Sequence, residues 1–348
     1  MTVCSDLFAD SPDWLSHTLN HASENLTETR TQLSDGTTIV CKALGILELA
    51  PPADRANPNN DALIVSAGVH GNETAPIEVL NGLVSELLNG DWPLACPTLL
   101  ILGNAPAMVA GERFLDVNMN RLFHGTHQKP EYQGLPEAAR ACLIETLCHR
   151  FADAHSGAQK RTLSHYDLHT AIRPSQREKF ALYPFVEGRE VPASQCEFLL
   201  EADVETLLLQ HKAGTTFSSF SSSQLGAESF TVELGKVRPF GQNDLSRFTG
   251  IRDALRRRFR GEPAPANSSG TTERLTVFEV VHEVLNTGPH FVFHVPDDVA
   301  NFTEYAPGTV IWEDDKTVYR VGDKAESIVF PNRDVPVGQR AGLLIRPR

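Results

Sequence analysis

Short apolar runs alternate with longer amphipathic segments over the first 260 or so residues of the chain. Residues 62–67 and 99–104 have the composition of strands that are buried on both faces of a sheet. After the first run, apolar residues recur at helical spacing over residues 77–88, and Pro76 suits the first turn of a helix. This order of elements predicts an α/β fold in which helices flank a central sheet.

Nearer the C-terminus the pattern changes to short segments in which apolar and polar residues alternate. Residues 262–270 are rich in proline, alanine and serine, which predicts a linker. The segments after the linker predict the strands of a small β domain: residues 275–281, 291–295, 317–321 and 342–345. We therefore predict a larger domain over residues 1–261 and a C-terminal β domain over residues 272–348.

The chain has 348 residues with 44 acidic and 31 basic side chains, which give a net charge of -13. This charge argues against nucleic acid or an anionic membrane as a partner, although a small anionic substrate can bind where the local charge is positive. No apolar run approaches the ~20 residues of a membrane span, and the first residues do not resemble a signal peptide. Six cysteines without a C-x-x-C pair indicate free thiols in a reducing compartment. We therefore expect a cytoplasmic protein.

A histidine and a glutamate lie where the first buried strand meets the helix that follows it. His70 and Glu73 occupy this join, and in an open α/β sheet that edge is where ligands bind. Imidazole and carboxylate groups suit zinc, and a catalytic zinc ion usually has three protein ligands and a water molecule. The flanking Gly68 and Gly71 allow a tight turn with close backbone approach. So short a motif also fits a solvated helix face, which is our interpretation of its second copy at residues 21–24.

The third ligand is predicted at the end of another β-prone segment, residues 164–172. His169 would lie at the same carboxyl edge of the sheet as His70. Asp167, two residues earlier on the same side of the strand, can accept a hydrogen bond from the imidazole and hold the tautomer that binds a metal. The alternative for His169 is a hydrogen-bonded histidine of the core, and His165 is interpreted as structural.

One carboxylate interrupts an apolar run within residues 216–234, which are predicted to supply further sheet. Glu233 lies between Val232 and Leu234 in a segment of high β-propensity. Its carboxylate can act as the general base that a zinc hydrolase needs. The alternative is a charge on an edge strand that faces water.

Together these motifs resemble the succinylglutamate desuccinylase and aspartoacylase family within the zinc carboxypeptidase-like fold. The runs 167–173 and 232–236 are most similar to the desuccinylase branch of that family. The resemblance covers residues 62–236 well and the C-terminal domain only in outline. It implies a mixed sheet flanked by helices, with residues 1–261 as the zinc-dependent catalytic domain. It rests on four segments that occur in the same order: residues 70–73, 113–121, 167–169 and 231–235.

The family resemblance also implies the catalytic roles. One Zn²⁺ per chain would be held by His70, Glu73 and His169. Glu233 would activate water and later return the proton to the leaving amine. Arg113 would polarise the scissile carbonyl and stabilise the tetrahedral oxyanion.

Other residues would bind the substrate. The resemblance implies that Asn120 and Arg121 fix one substrate carboxylate, the arginine through a bidentate fork. Family members also use a tyrosine from the C-terminal half, for which Tyr305 is our candidate. Arg173 and Lys236 directly follow site motifs, so they either bind the remaining carboxylates or are ordinary surface residues.

The implied reaction is hydrolysis of N-succinyl-L-glutamate to succinate and L-glutamate, the last step of arginine degradation by the succinyl pathway. The expected partner is therefore a small anionic N-acyl amino acid. Two other enzymatic interpretations remain, an aspartoacylase-like deacylase of another N-acyl amino acid and a carboxypeptidase. The non-enzymatic alternative is a degenerate metal-binding regulatory subunit. An intact Glu233 disfavours it, because a structural zinc needs four protein ligands and no base.

Overall fold

The computed structural model describes residues 7–8, 11–24, 26–157, 161–265 and 274–348. Residues 266–270 of the predicted linker lie outside these ranges. The α-helices within them are α1 (Trp14–Asn20), α2 (Thr74–Asn89), α3 (Ala105–Ala110), α4 (Pro136–Ala152), α5 (Ala193–Glu201), α6 (Phe217–Gln224) and α7 (Thr249–Phe259). No helix in the described ranges is long and apolar enough to cross a membrane.

The strands of the same ranges divide into an N-terminal and a C-terminal group. The first group is β1 (Thr29–Gln32), β2 (Thr38–Ala43), β3 (Ile46–Ala50), β4 (Asp61–Ala67), β5 (Thr98–Leu102), β6 (Thr162–Ala171), β7 (Phe180–Tyr183), β8 (Thr206–Leu209) and β9 (Glu228–Lys236). The second group is β10 (Thr276–Leu285), β11 (Val292–Phe293), β12 (Thr303–Tyr305), β13 (Val310–Glu313), β14 (Val318–Arg320), β15 (Glu326–Val329) and β16 (Arg340–Pro347).

A sheet of 13 strands runs through the molecule in the order β1-β2-β3-β5-β4-β6-β9-β7-β8-β10-β16-β15-β12. Its central strands β5, β4, β6 and β9 are parallel, whereas β7 runs antiparallel to β9. Because β10 pairs with β8, the sheet continues into the C-terminal β part. Strands β11, β13 and β14 form a separate small sheet. The prediction of a mixed sheet flanked by helices, with a smaller C-terminal β part, is confirmed.

The central strand β4 is buried on both faces, as its uninterrupted apolar run predicts. Leu63 and Val65 belong to the same buried cluster as the apolar residues of α2. Ala62 and Ile64 belong to the cluster on the opposite face, together with apolar residues of α4 and α6. Full burial of a large aliphatic side chain contributes ~1.5–3 kcal/mol, so this strand is a rigid base for the loop at its carboxyl end.

Helix α6 contradicts one sequence prediction. We expected sheet over residues 216–234, but only the second half of that segment forms a strand, β9, and the first half is helical. Five of the eight residues of α6 are serines, which have only moderate helix propensity. Phe217 and Phe220 are at most 1 % exposed, so burial against the sheet decides the conformation of this segment.

Candidate active site

Two glycines shape the turn between β4 and α2, which carries two of the predicted metal ligands. Gly68 has a φ of 66°, in the left-handed region that favours glycine. A Cβ atom on Gly71 would lie 2.2 Å from the carbonyl carbon of Ala107, so any side chain there would collide with the backbone of α3. The N–H of Gly71 also donates to the carbonyl of Arg113 at 3.1 Å, which joins this turn to the loop that follows α3.

The three predicted metal ligands meet in one buried cluster. Nδ1 of His70 lies 2.9 Å from Oε1 of Glu73, and Nδ1 of His169 lies 2.8 Å from Oε2 of the same carboxylate. Their side chains are at most 3 % exposed, and their ligand atoms lie within 4.8 Å of one another. Within the described ranges, this is the one group of three or more metal-ligating side chains that come so close together.

Each imidazole of the cluster is also held at its other nitrogen. Nε2 of His70 lies 3.0 Å from Oδ1 of Asn118, and Nε2 of His169 lies 2.9 Å from Oδ2 of Asp167. An Nε2–H that donates to each acceptor turns Nδ1 of each ring toward Glu73, where its lone pair can bind a metal once Nδ1 carries no proton. Two nitrogens and a carboxylate are the donor set of a catalytic zinc site, so these residues fit that metal. Sequence reasoning identified Asp167 but missed Asn118, because nothing in the sequence links it to His70.

The charges in the cluster favour a cation. Burial lowers the pKa of His70 to about 4, which keeps its ring neutral. Burial opposes a charge on Glu73, but the two histidines hold the pKa of its carboxyl well below the ordinary value. Burial also opposes a charge on His169, yet Asp167 and Glu73 raise its pKa well above the ordinary value. Surroundings that stabilise the protonated, positively charged form of His169 also stabilise a metal cation next to it.

Glu233 lies on β9 beside His169, its register partner on β6. Because β9 is an interior strand between β6 and β7, the edge-strand interpretation is wrong. The residue is 8 % exposed, and its Oε2 has no hydrogen-bond partner in the described part of the chain. Burial, together with the charge of Glu73, raises the pKa of Glu233 to about 7. A carboxylate with this pKa can take a proton from water near neutral pH.

The loop after α3 carries three of the predicted site residues, of which Arg113 contacts the cluster. Nη1 of Arg113 donates to Oε1 of Glu73 at 2.6 Å, while 32 % of the arginine side chain remains exposed. Asn120 accepts the N–H of Phe217 at 2.9 Å through its Oδ1, which ties the loop to the start of α6. Arg121 donates to the carbonyl of Asn120 at 3.0 Å and makes no ion pair with any described residue.

A second arginine without an ion pair approaches Arg121 from the C-terminal part of the sheet. Arg340 begins β16, where it pairs with Leu285. Burial, followed by the positive charges of Arg340 and then Arg113, lowers the pKa of Arg121 to about 10, although Arg121 is still exposed to solvent. Arg340 also has no ion pair among the described residues, although the charge of Glu283 acts on it. Arg121 and Arg340 therefore add positive charge near Arg113. Sequence reasoning missed Arg340, which no motif marks.

The other three predicted substrate residues form no hydrogen bond or ion pair with the cluster in the described ranges. Arg173 is half-buried and donates to the carbonyl of Asp297. Lys236 is exposed at the end of β9. Tyr305 packs against the apolar cluster of the C-terminal β part, and its buried hydroxyl has no hydrogen-bond partner in the same ranges.

Known proteins similar to this chain identify its family. Residues 59–259 match the family profile of the succinylglutamate desuccinylase/aspartoacylase catalytic domain. Residues 273–348 match that of the AstE/AspA barrel-sandwich hybrid domain. A relative named succinylglutamate desuccinylase, from Pseudomonas paraeruginosa, is 43 % identical over 333 residues, which are 94 % of this chain and 96 % of the relative.

Solved structures give the same result. A succinylglutamate desuccinylase structure from Chromobacterium violaceum has 38 % identity and a TM-score of 0.81, covering 97 % of this chain and 98 % of that one. Another from Vibrio cholerae has 29 % identity and a TM-score of 0.86, covering 98 % of this chain and 96 % of that one. The resemblance inferred from the sequence motifs is confirmed, and the chain belongs to the succinylglutamate desuccinylase and aspartoacylase family.

Proposed function

We propose that this protein is a zinc-dependent amidohydrolase that converts N-succinyl-L-glutamate and water to succinate and L-glutamate. One observation carries the chemistry: the buried carboxylate of Glu233, whose Oε2 has no hydrogen-bond partner in the described ranges, lies next to the cluster of His70, Glu73 and His169. The names of the relatives supply the substrate class. In the cell, the reaction would be the last step of arginine degradation by the succinyl pathway, in the cytoplasm.

His70 and His169, through Nδ1, and Glu73, through its carboxylate, would hold one zinc ion per chain. When bound, zinc supplies Lewis acidity, which makes water more acidic and polarises a carbonyl. Asn118 and Asp167 keep both imidazoles turned so that Nδ1 faces the cluster. The site would therefore be ordered before the metal binds.

Two residues of the chain would move the proton and stabilise the developing charge. Glu233 would take a proton from the attacking water and return it to the leaving nitrogen of glutamate, a role that suits a pKa of about 7. Arg113 would donate to the oxygen that becomes negative in the tetrahedral transition state, where one well-placed donor typically contributes ~3 kcal/mol. The exposed part of its side chain leaves room for this contact.

The substrate's charge sets the main requirement on the rest of the site. N-Succinylglutamate carries three carboxylates and the chain has a net charge of -13, so binding depends on local cations. We assign one carboxylate to Asn120 and Arg121, whose guanidinium can bind it in bidentate fashion. We assign a second to Arg340, whose positive charge acts on Arg121. Arg173 and Lys236 are the candidates for the third.

Release of primary amine by the zinc-loaded protein tests this function. The substrates are succinyl-, acetyl- and formyl-glutamate with succinyl- and acetyl-aspartate. We expect the highest kcat/KM on succinylglutamate, since that ratio measures discrimination between substrates. A preference for acetylaspartate would favour the aspartoacylase-like alternative. No release from any substrate by metal-replete protein would contradict the proposed reaction.

A further inference from the structure

A line of hydrogen-bonded polar side chains runs through the apolar interior from His169 to α6. Oδ2 of Asp167 accepts from His169, and Oδ1 accepts from the Ser66 hydroxyl at 2.6 Å. Oγ of Ser66 lies 2.9 Å from Nε2 of His165, whose Nδ1 lies 2.7 Å from Oγ of Ser221. Each of these residues is at most 2 % exposed.

The direction of each hydrogen bond along this line follows from the number of protons available. Ser66 has one hydroxyl proton, which it donates to Asp167, so at its other contact it accepts from the Nε2–H of His165. Burial lowers the pKa of His165 to about 4, so the ring is neutral and its Nδ1 accepts from Ser221. Every donor therefore points toward Asp167, whose two carboxylate oxygens are both held.

The strand register fixes the line in place. β4 and β6 are parallel, with Ser66 paired to Asp167 and Ile64 paired to His165. Ile64 belongs to the apolar cluster on this face of the sheet, where a hydroxyl or an imidazole costs free energy unless it is hydrogen-bonded. Apolar residues would pack in the same places without that cost. The polar side chains at these positions therefore point to a role beyond packing.

We propose that Ser66 and His165 are positioning residues for the metal ligand His169. They hold the Asp167 carboxylate in the orientation in which Oδ2 receives the Nε2–H of His169. The Nδ1 lone pair of His169 then stays turned toward the metal position. Helix α6 anchors the far end of the line through Ser221. The inference rests on the proposed function, because it requires that the cluster binds zinc.

The test compares two variants, each of which lacks one buried hydroxyl. Metal-free protein of each variant is titrated with zinc. Ser66→Ala removes the hydrogen bond to Asp167. Tyr166→Phe is the matched control, because Tyr166 is equally buried on β6 but donates to Gln195 at 2.7 Å and packs in the cluster on the opposite face. Zinc affinity, measured by competition with a chelator, should fall about tenfold in Ser66→Ala and change by less than about twofold in Tyr166→Phe.

A second pair of variants serves if Ser66→Ala folds poorly. His165→Leu interrupts the line, whereas His165→Gln keeps an amide N–H that can donate to Ser66 and should restore part of the zinc affinity. Wild-type affinity in Ser66→Ala or His165→Leu, or an equal loss in Ser66→Ala and Tyr166→Phe, overturns this inference alone. A wild-type chain that binds no zinc overturns the proposed function, and this inference with it.

Discussion

The chain contains two copies of the motif His-x-x-Glu, and within the described ranges only one of them is part of a cluster of three metal-ligating side chains. The two pairs form similar contacts: Nδ1 of His21 lies 3.0 Å from Oε2 of Glu24, and the corresponding distance in the pair His70 and Glu73 is 2.9 Å. Their surroundings differ. His21 follows the short helix α1, and Glu24 is 54 % exposed. Both members of the second pair are at most 3 % exposed and lie after the carboxyl end of β4.

Neighbouring strands account for this difference. β4 and β6 end at the same edge of the sheet, and β9 ends beside them, so His169 and Glu233 reach the pair at 70 and 73. Within the described ranges, no group of three metal-ligating side chains with ligand atoms within 4.8 Å of one another includes His21 and Glu24. An exposed contact of that kind contributes only ~0–1 kcal/mol. A His-x-x-Glu motif therefore indicates a metal site where the fold supplies another ligand and a base.

Substitution of single histidines by alanine should give the largest difference between the pair His70 and Glu73 and the pair His21 and Glu24. His70→Ala and His169→Ala should lower zinc affinity by more than roughly 100-fold and abolish turnover, since even partners that only orient a ligand contribute roughly 10- to 100-fold. His21→Ala should change neither quantity. Metal analysis after dialysis and amine release from succinylglutamate measure both effects. Full metal content in either cluster variant would contradict the ligand assignment.

Substitution of single glutamates by glutamine tests whether Glu233 is the general base. Glu233→Gln keeps the shape of the side chain but removes its capacity to take a proton, so kcat should fall by roughly 100-fold or more while zinc content is unchanged. Glu24→Gln is the matched control on the exposed motif and should have wild-type activity. If zinc-replete Glu233→Gln turned over substrate at a near-normal rate, another group would have to be the base.

Local sequence patterns predicted the elements that carry the cluster. β4, β5, β6 and α2 follow apolar runs or helical spacing long enough to determine their structure. Helix α6 was predicted as sheet, and β7, α5 and β8 had no prediction at all. Because these elements are short, burial in the tertiary structure determines their conformation more strongly than the helix or strand propensity of their residues.

Some residues of the site could likewise be predicted from the sequence and others could not. His70, Glu73 and His169 were found from sequence because each lies at or near the end of a recognisable apolar run. Asn118 contacts His70 from a loop without regular periodicity, and Arg340 approaches the site from the far end of the chain. The spacing of apolar residues reports only on residues that are close together in the sequence. It therefore cannot show that Asn118 or Arg340 lies near the site in the folded chain.

Removal of the positive charge of Arg121 or Arg340 should have a smaller effect than loss of the metal or the base. Arg121→Ala and Arg340→Ala should each lower kcat/KM for succinylglutamate by roughly ten- to a hundredfold, because a charge-assisted hydrogen bond contributes ~1.5–3 kcal/mol. The loss should appear mainly in KM if ground state and transition state keep the contact equally. Arg320→Ala, on exposed strand β14, is the control. Wild-type kcat/KM in Arg340→Ala would exclude the C-terminal arginine from substrate binding.

The smallest expected effect concerns stability, and it distinguishes Glu233 from Glu24 without an activity assay. The ordinary pKa of a glutamate is 4.5, and the folded protein raises that of Glu233 to about 7. Between these values the folded chain keeps a proton that the unfolded chain has released. The free energy of unfolding therefore falls as the pH rises through this window. Above it, the folded chain contains a buried carboxylate without a hydrogen-bond partner on Oε2 in the described ranges.

Glu233→Gln removes this penalty, so the metal-free variant should be more stable than the wild type at about pH 8, by at most about 3 kcal/mol. At about pH 4 the gain should vanish, because Glu233 is then protonated in the folded state and largely protonated in the unfolded state. Glu24→Gln should change stability at neither pH, since the Glu24 carboxylate is largely solvated. Denaturant unfolding with a chelator present measures all three proteins at both values. Equal stability of Glu233→Gln and wild type at the higher pH would mean that the carboxylate is paired or hydrated in solution, and its raised pKa would then have no physical basis.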